Sequence, residues 1–256
     1  MRTLMVALAT LLACESGDRA PGTASGSARP APPPGAVSTD ATASDLDEHM
    51  REHFASIAEL QRATARGRLA TAKADALWLV DHDEPAKLAA WRPFVTEMRQ
   101  AALEFMATRD LPSAAAVASR LGRTCSRCHE ATSAVVTFAW ETPPPDAPDL
   151  ATQMKRHEWA AARLWEGLVG PSDTMWRGGA GVLATTRLDV PAASGSAAPR
   201  GDVEALAKYV RELATTATGI DDQDARAKLY GELLSTCAGC HALVRPDPVS
   251  EPVRDR

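Results

Sequence analysis

Two stretches of this chain repeat one another, and the repeat leaves few folds open to it. Met50-Arg-Glu-His53 recurs as Met154-Lys-Arg-His157, 104 residues later, and Cys125-Ser-Arg-Cys128-His129 recurs as Cys237-Ala-Gly-Cys240-His241, 112 residues later. The offsets differ by 8, close to the length of Pro191-Ala-Ala-Ser-Gly-Ser-Ala-Ala-Pro-Arg200, which reads as a loop inserted in the second copy. Self-similarity on this scale means two homologous units, each opening with Met-x-x-His and closing with Cys-x-x-Cys-His. Their expected bounds are 46–140 and 149–245, joined by a stiff Pro-rich linker at 141–148 that contains Thr142-Pro-Pro-Pro-Asp-Ala-Pro148.

Each unit reads as four helices. The third is clearest: Leu88, Trp91, Val95, Met98, Ala102 and Phe105 follow a 3-4-3-4-3 spacing, and Val203, Leu206, Val210, Leu213, Ala217 and Ile220 repeat it. Such a seam suits near-antiparallel helix packing. Pro93 either kinks the first copy or makes it start later. Asp110-Leu-Pro112 and Asp221-Asp222 supply N-cap chemistry for the fourth helices. No stretch alternates with period two, so the expected class is all-α, two tandem four-helix bundles. Aromatic residues are only 5% of the chain. Two bundles built from Ala, Leu and Val would have thin cores, to which a large apolar cofactor would add bulk.

The ends read differently. Arg2 followed by Leu4-Met-Val-Ala-Leu-Ala-Thr-Leu-Leu12 has the charged and apolar regions of an export signal, expected over 1–13 and too short to span a bilayer stably. Leu11-Leu12-Ala13-Cys14 resembles the lipobox of bacterial lipoproteins. That resemblance implies cleavage before Cys14 and a diacylglycerol on its thiol; an ordinary signal peptide with an incidental cysteine is the alternative. The Gly-, Ser-, Ala- and Pro-rich run that follows cannot bury enough apolar surface to order itself, so 14–45 is expected to be a lipidated cysteine and its tether. Residues 246–256 form a charged tail. The net charge of −5 argues against a nucleic-acid partner.

Of the five cysteines, Cys14 belongs to the lipobox and the other four to the repeated motif, leaving none for a structural disulfide. Covalent haem attachment needs two thiols on one helix face and a histidine beside them to reach the iron. Cys-x-x-Cys-His provides both, with cysteines at i and i+3 and the histidine at i+4. Cys125, Cys128, Cys237 and Cys240 are the expected thioether residues of two haem c groups, and His129 and His241 the proximal iron ligands. A shared zinc is disfavoured by the distance between the pairs and leaves both histidines unexplained. A thioredoxin-like redox pair wants a βαβ context.

A four-helix bundle with Cys-x-x-Cys-His on its last helix resembles cytochrome c′, a likeness covering about 95 residues of each unit. It implies that the first helix faces the distal side of the iron, a position open in some members and filled by methionine in low-spin relatives. His53 and His157 are the expected sixth ligands, with Met50 and Met154 packing on the porphyrin or, alternatively, ligating. A structural histidine beside an open iron is the third possibility. His49 aligns with Gln153 and His82 with nothing, so both read as surface or capping residues. Trp91, Trp140 and Trp165 read as core or haem-wall residues, and Arg62, Arg66 and Arg163 as solvated.

The function expected is that of a non-enzymatic dihaem electron carrier, membrane-anchored and facing the periplasm of a Gram-negative-type bacterium. Its partners would be periplasmic or membrane redox proteins. A small-gas (NO or CO) binder or sensor would need a five-coordinate haem. A dihaem peroxidase would need one open haem with acid–base groups nearby.

Overall fold

The apolar periodicity read along both copies is helical in the structure, a computed structural model that describes residues 39–82, 91–188 and 200–244. In the first copy these are α1 (Thr39–Ala65), α2 (Leu69–Asp81), α3 (Arg92–Ala107) and α4 (Leu111–Thr132). The second contributes α5 (Leu150–Val169), α6 (Asp173–Thr185), α7 (Arg200–Ala217) and α8 (Gln223–Val244). No strand occurs among the described residues, so the chain is all-α there. No helix among them is long and apolar enough to cross a membrane. Cys14, the signal segment, the inserted loop over 189–199 and the tail lie outside the described residues.

The third helices follow their seam. Met98, Ala102 and Phe105 are buried on α3, as are Val203, Val210, Leu213 and Ala217 on α7. Pro93 stands in the first turn of α3, so the helix starts there rather than bending. Asp110 accepts the Ser113 N–H at 2.7 Å to cap α4, and Asp222 accepts the Ala225 N–H at 2.8 Å to cap α8. At the other end of the first copy, α1 begins at Thr39, inside the stretch expected as tether, where alanines favour helix.

Consecutive helices pack in chain order: α2 on α3, α3 on α4, then α5 on α6, α6 on α7, α7 on α8, with α8 returning to α5. Small residues let α5 and α6 approach closely. A Cβ on Gly167 would lie 2.5 Å from the Trp176 backbone nitrogen, and one on Gly179 would lie 2.6 Å from the Ala160 carbonyl oxygen. The copies meet through α4 and α8, one of the broadest contacts in the chain. Ala114, Ala115 and Ala118 are buried on α4, and a Cβ on Gly231 of α8 would lie 2.8 Å from Ser119 Oγ. The buried side chains of both copies therefore form one continuous core rather than two thin ones.

The linker is an extended strap laid along α5. Arg163 Nη1 donates to the Ala139 carbonyl at 3.0 Å, and Arg156 donates to the carbonyl of Pro144. Trp140 packs edge-on against Trp159 with ring centroids 5.4 Å apart.

Candidate functional site

Both Cys-x-x-Cys-His motifs lie in the closing turns of a fourth helix, Cys125–His129 on α4 and Cys237–His241 on α8. A helix of 3.6 residues per turn brings i, i+3 and i+4 to one side, so each motif offers two sulfurs and an imidazole together. All four cysteines are free thiols. Cys125 and Cys237 pack at the edge of the core. Burial, with the neighbouring cysteine adding to it, pushes each of these thiols up to about 12. A disulfide oxidoreductase needs the opposite shift, toward the thiolate, so the redox-pair alternative finds no support here.

His129 has a defined tautomer. Its Nδ1 stands 2.9 Å from the carbonyl oxygen of Val169, which can only accept. The ring proton is therefore on Nδ1, and Nε2 keeps its lone pair. Burial lowers the pKa of this histidine, the Val169 bond opposing, so the ring is neutral at pH 7. A neutral imidazole held through Nδ1–H is how proteins present a metal-ligating Nε2. Val169 ends α5, so the motif of the first copy is oriented by the first helix of the second. His241 is half-buried at the equivalent place on α8.

The Met-x-x-His histidines occupy related but unequal surroundings. On α5, His157 is 7% exposed. Its ring donates to the backbone of Thr186, while Nε2 is buried without a hydrogen-bond partner. Burial, with Arg211 adding to it, lowers its pKa to about 4. A neutral ring with a buried lone pair is costly unless something binds it. Met50 and Met154 are half-buried one turn before their histidines.

On α1, His53 stands among other imidazoles. Its ring centroid is 4.4 Å from that of His49 and 5.2 Å from that of His82, and His82 Nε2 is 3.1 Å from His49 Nδ1. The indole of Trp78 stacks on His82 at 4.0 Å, and Glu52 Oε2 is 3.7 Å from His82 Nε2. Burial, then His49, His82 and Arg99, lower the His53 pKa to about 3.

These positions correct the sequence reading in three places. His49 is 6% exposed, not a surface residue, because α2 ends against it. His82 does cap α2, its N–H donating to the Trp78 carbonyl, but it has a counterpart: Thr186, 104 residues on, caps α6 in the same way. Arg163 is buried rather than solvated, donating to Glu166 and standing 5.6 Å over the Trp159 ring. Arg62 and Arg66 do face solvent, and so does half of Trp140, whereas Trp165 is core. The imidazole cluster had a signal in the sequence, since His49 and His53 stand at i and i+4 with Glu52 between. The partner from α2 had none.

A groove of about 800 Å³ between α3, α4, α7 and α8 is lined by charged residues such as Glu97, Arg120 and Arg123, and none of these cysteines or histidines borders it. Comparison with known proteins finds no matching family model, curated protein or solved structure.

Proposed function

We propose that the chain is an exported, lipid-anchored dihaem c-type cytochrome that carries electrons between periplasmic or membrane redox partners, with α1–α4 and α5–α8 as two cytochrome c′-like four-helix bundles. The observation that carries the reading is the pair of complete attachment motifs at equivalent helix ends, one of them with its histidine held through Nδ1. The free thiols and the Nε2 lone pair of His129 fit a covalent haem with a proximal imidazole. When bound, each haem supplies a one-electron ferric–ferrous couple.

The chain's own residues do the rest. Cys125 and Cys128, and likewise Cys237 and Cys240, tether the ring to one helix face. His129 and His241 offer the proximal nitrogens, and His157, its Nδ1 already bonded to Thr186, offers a distal one for the second haem. A closed iron suits a carrier rather than an enzyme. Lipid on Cys14 would hold the protein at a membrane surface without spanning it. A second reading, small-gas binding at the first haem, is favoured by the packing of the His53 ring against His49 and His82, which would leave that iron with His129 alone and its distal side open.

Mass spectrometry of the denatured chain, matured with a cytochrome c assembly system, tests the proposal. Two haems should remain attached, one lost with Cys125→Ser and Cys128→Ser and the other with Cys237→Ser and Cys240→Ser. Extraction of all haem into acidified organic solvent would overturn it.

A further inference from the structure

We infer that His49, His53 and His82, with Glu52 at their rim, form a binding site for a divalent transition-metal ion of the zinc or copper class, distinct from the haem sites. The inference does not rest on the haem reading, although it assigns His53 to this ion.

The donors come from two helices. His49 and His53 stand four apart on α1 and so share a face, and His82 reaches them from the end of α2. One ring nitrogen from each lies within 4.8 Å of the other two. Tetrahedral zinc holds imidazole nitrogens at about 2.0–2.1 Å, which separates them from one another by about 3.3 Å. The His49–His82 pair, at 3.1 Å, is already at that spacing. The His53 donor lies within 4.8 Å of both. Three imidazoles and a carboxylate suit zinc or copper rather than calcium or magnesium, which favour all-oxygen shells. Trp78 walls the site, stacked on His82 and edge-on to His53 at 5.5 Å. Arg99 is the nearby cation. It donates to the His82 carbonyl, which anchors the end of α2.

The second copy shows that the helices do not need these donors to pack. At the matching positions, 104 residues on, Gln153 replaces His49, Arg156 replaces Glu52 and Thr186 replaces His82, leaving His157 alone. Arg156 Nε donates to Thr186 Oγ1 at 3.1 Å. A permanent cation thus occupies the second copy where the first gathers three imidazoles and a carboxylate. Replacing three of the four residues together, a guanidinium on one side for a donor set on the other, is what a metal site confined to one copy would look like.

The test uses the full haem-loaded chain, with Zn(II) as probe, measured by elemental analysis and by competition with a chromophoric chelator. One zinc per chain beyond iron is expected, with affinity in the micromolar range or tighter. The double variant His49→Gln/His82→Thr installs the residues that the second copy already accommodates, and it should weaken zinc binding by roughly 100-fold or more. Its haem absorption spectrum should be unchanged. Gln153→Ala should leave zinc binding as it was. No zinc retained at micromolar concentration, or full retention by the double variant, would overturn the site. So would a His53→Ala variant that keeps its zinc while one haem turns high-spin and binds carbon monoxide, because His53 would then belong to the iron. A chain with no covalent haem would refute the cytochrome reading and leave the zinc measurement intact.

Discussion

Two glycines of α6, two residues apart, should respond to the same substitution with opposite signs. A Cβ on Gly179 would lie 2.6 Å from the Ala160 carbonyl oxygen and 2.8 Å from the Leu164 nitrogen, whereas one on Gly181 would meet nothing within 4 Å. Ordinary contact begins near 3.4 Å. Gly179→Ala therefore requires α5 and α6 to part by about 0.6–0.8 Å, a gap that forfeits about a quarter to a half of the attraction between the facing atoms. Overpacking costs about 1–3 kcal/mol, and the upper end applies because both blocking atoms are backbone and cannot rotate away. Alanine's better helix propensity returns about 1 kcal/mol, leaving Gly179→Ala destabilised by about 2 kcal/mol. Gly181→Ala gains the propensity alone and should be more stable by about 0.5–1 kcal/mol. Urea unfolding followed by the fluorescence of buried Trp165 and Trp176, with circular dichroism for the helices, measures the difference of about 3 kcal/mol. Because α5 carries His157 and α6 leads into Thr186, Gly179→Ala should also loosen the bond that orients that imidazole. If both variants shifted stability in the same direction by similar amounts, the close packing of α5 on α6 would be refuted.

Glu166 offers a pH-dependent test: burial raises its carboxyl to about 7 against the pull of Arg163, so the folded chain holds a proton that the unfolded chain releases near the ordinary carboxylate value. Its ionisation costs stability as pH rises from about 4.3 to about 7, so Glu166→Gln should match the parent at low pH and exceed it at pH 8 by on the order of 1–2 kcal/mol after screening. Chemical denaturation at both pH values decides it, and an equal loss in both chains with rising pH would count against it. Trp176→Phe removes the donor that reaches the Ala217 carbonyl at 2.8 Å, leaving that carbonyl buried beside a small void. The expected cost is about 2–3 kcal/mol in the same unfolding assay, and a neutral result would show that the bond is dispensable.

The all-α class, the caps at Asp110 and Asp222, and the placement of both Cys-x-x-Cys-His motifs near helix ends were legible in the sequence. Each of these is carried by contiguous residues: an apolar period of three and four, a carboxylate before a helix, two thiols and an imidazole within five positions. Such signals survive without knowledge of what packs against them. Tertiary structure alone decided which distant groups meet. His82 reaches His49 because α2 folds back on α1 and stops there, and an offset of 33 residues in sequence carries no trace of that. His129 takes its tautomer from Val169, 40 residues away in the other copy, because α4 packs against α5. Arg163 is charged and stands on a helix face that sequence reads as solvated, yet the strap from Ala139 to Pro144 covers it and supplies its acceptor. The continuous core across α4 and α8 likewise follows from alanine and glycine at their crossing, residues whose small size permits close approach but does not name the partner. Local pattern specifies the helices; the geometry of their packing chooses the neighbours of each imidazole, and so its chemistry.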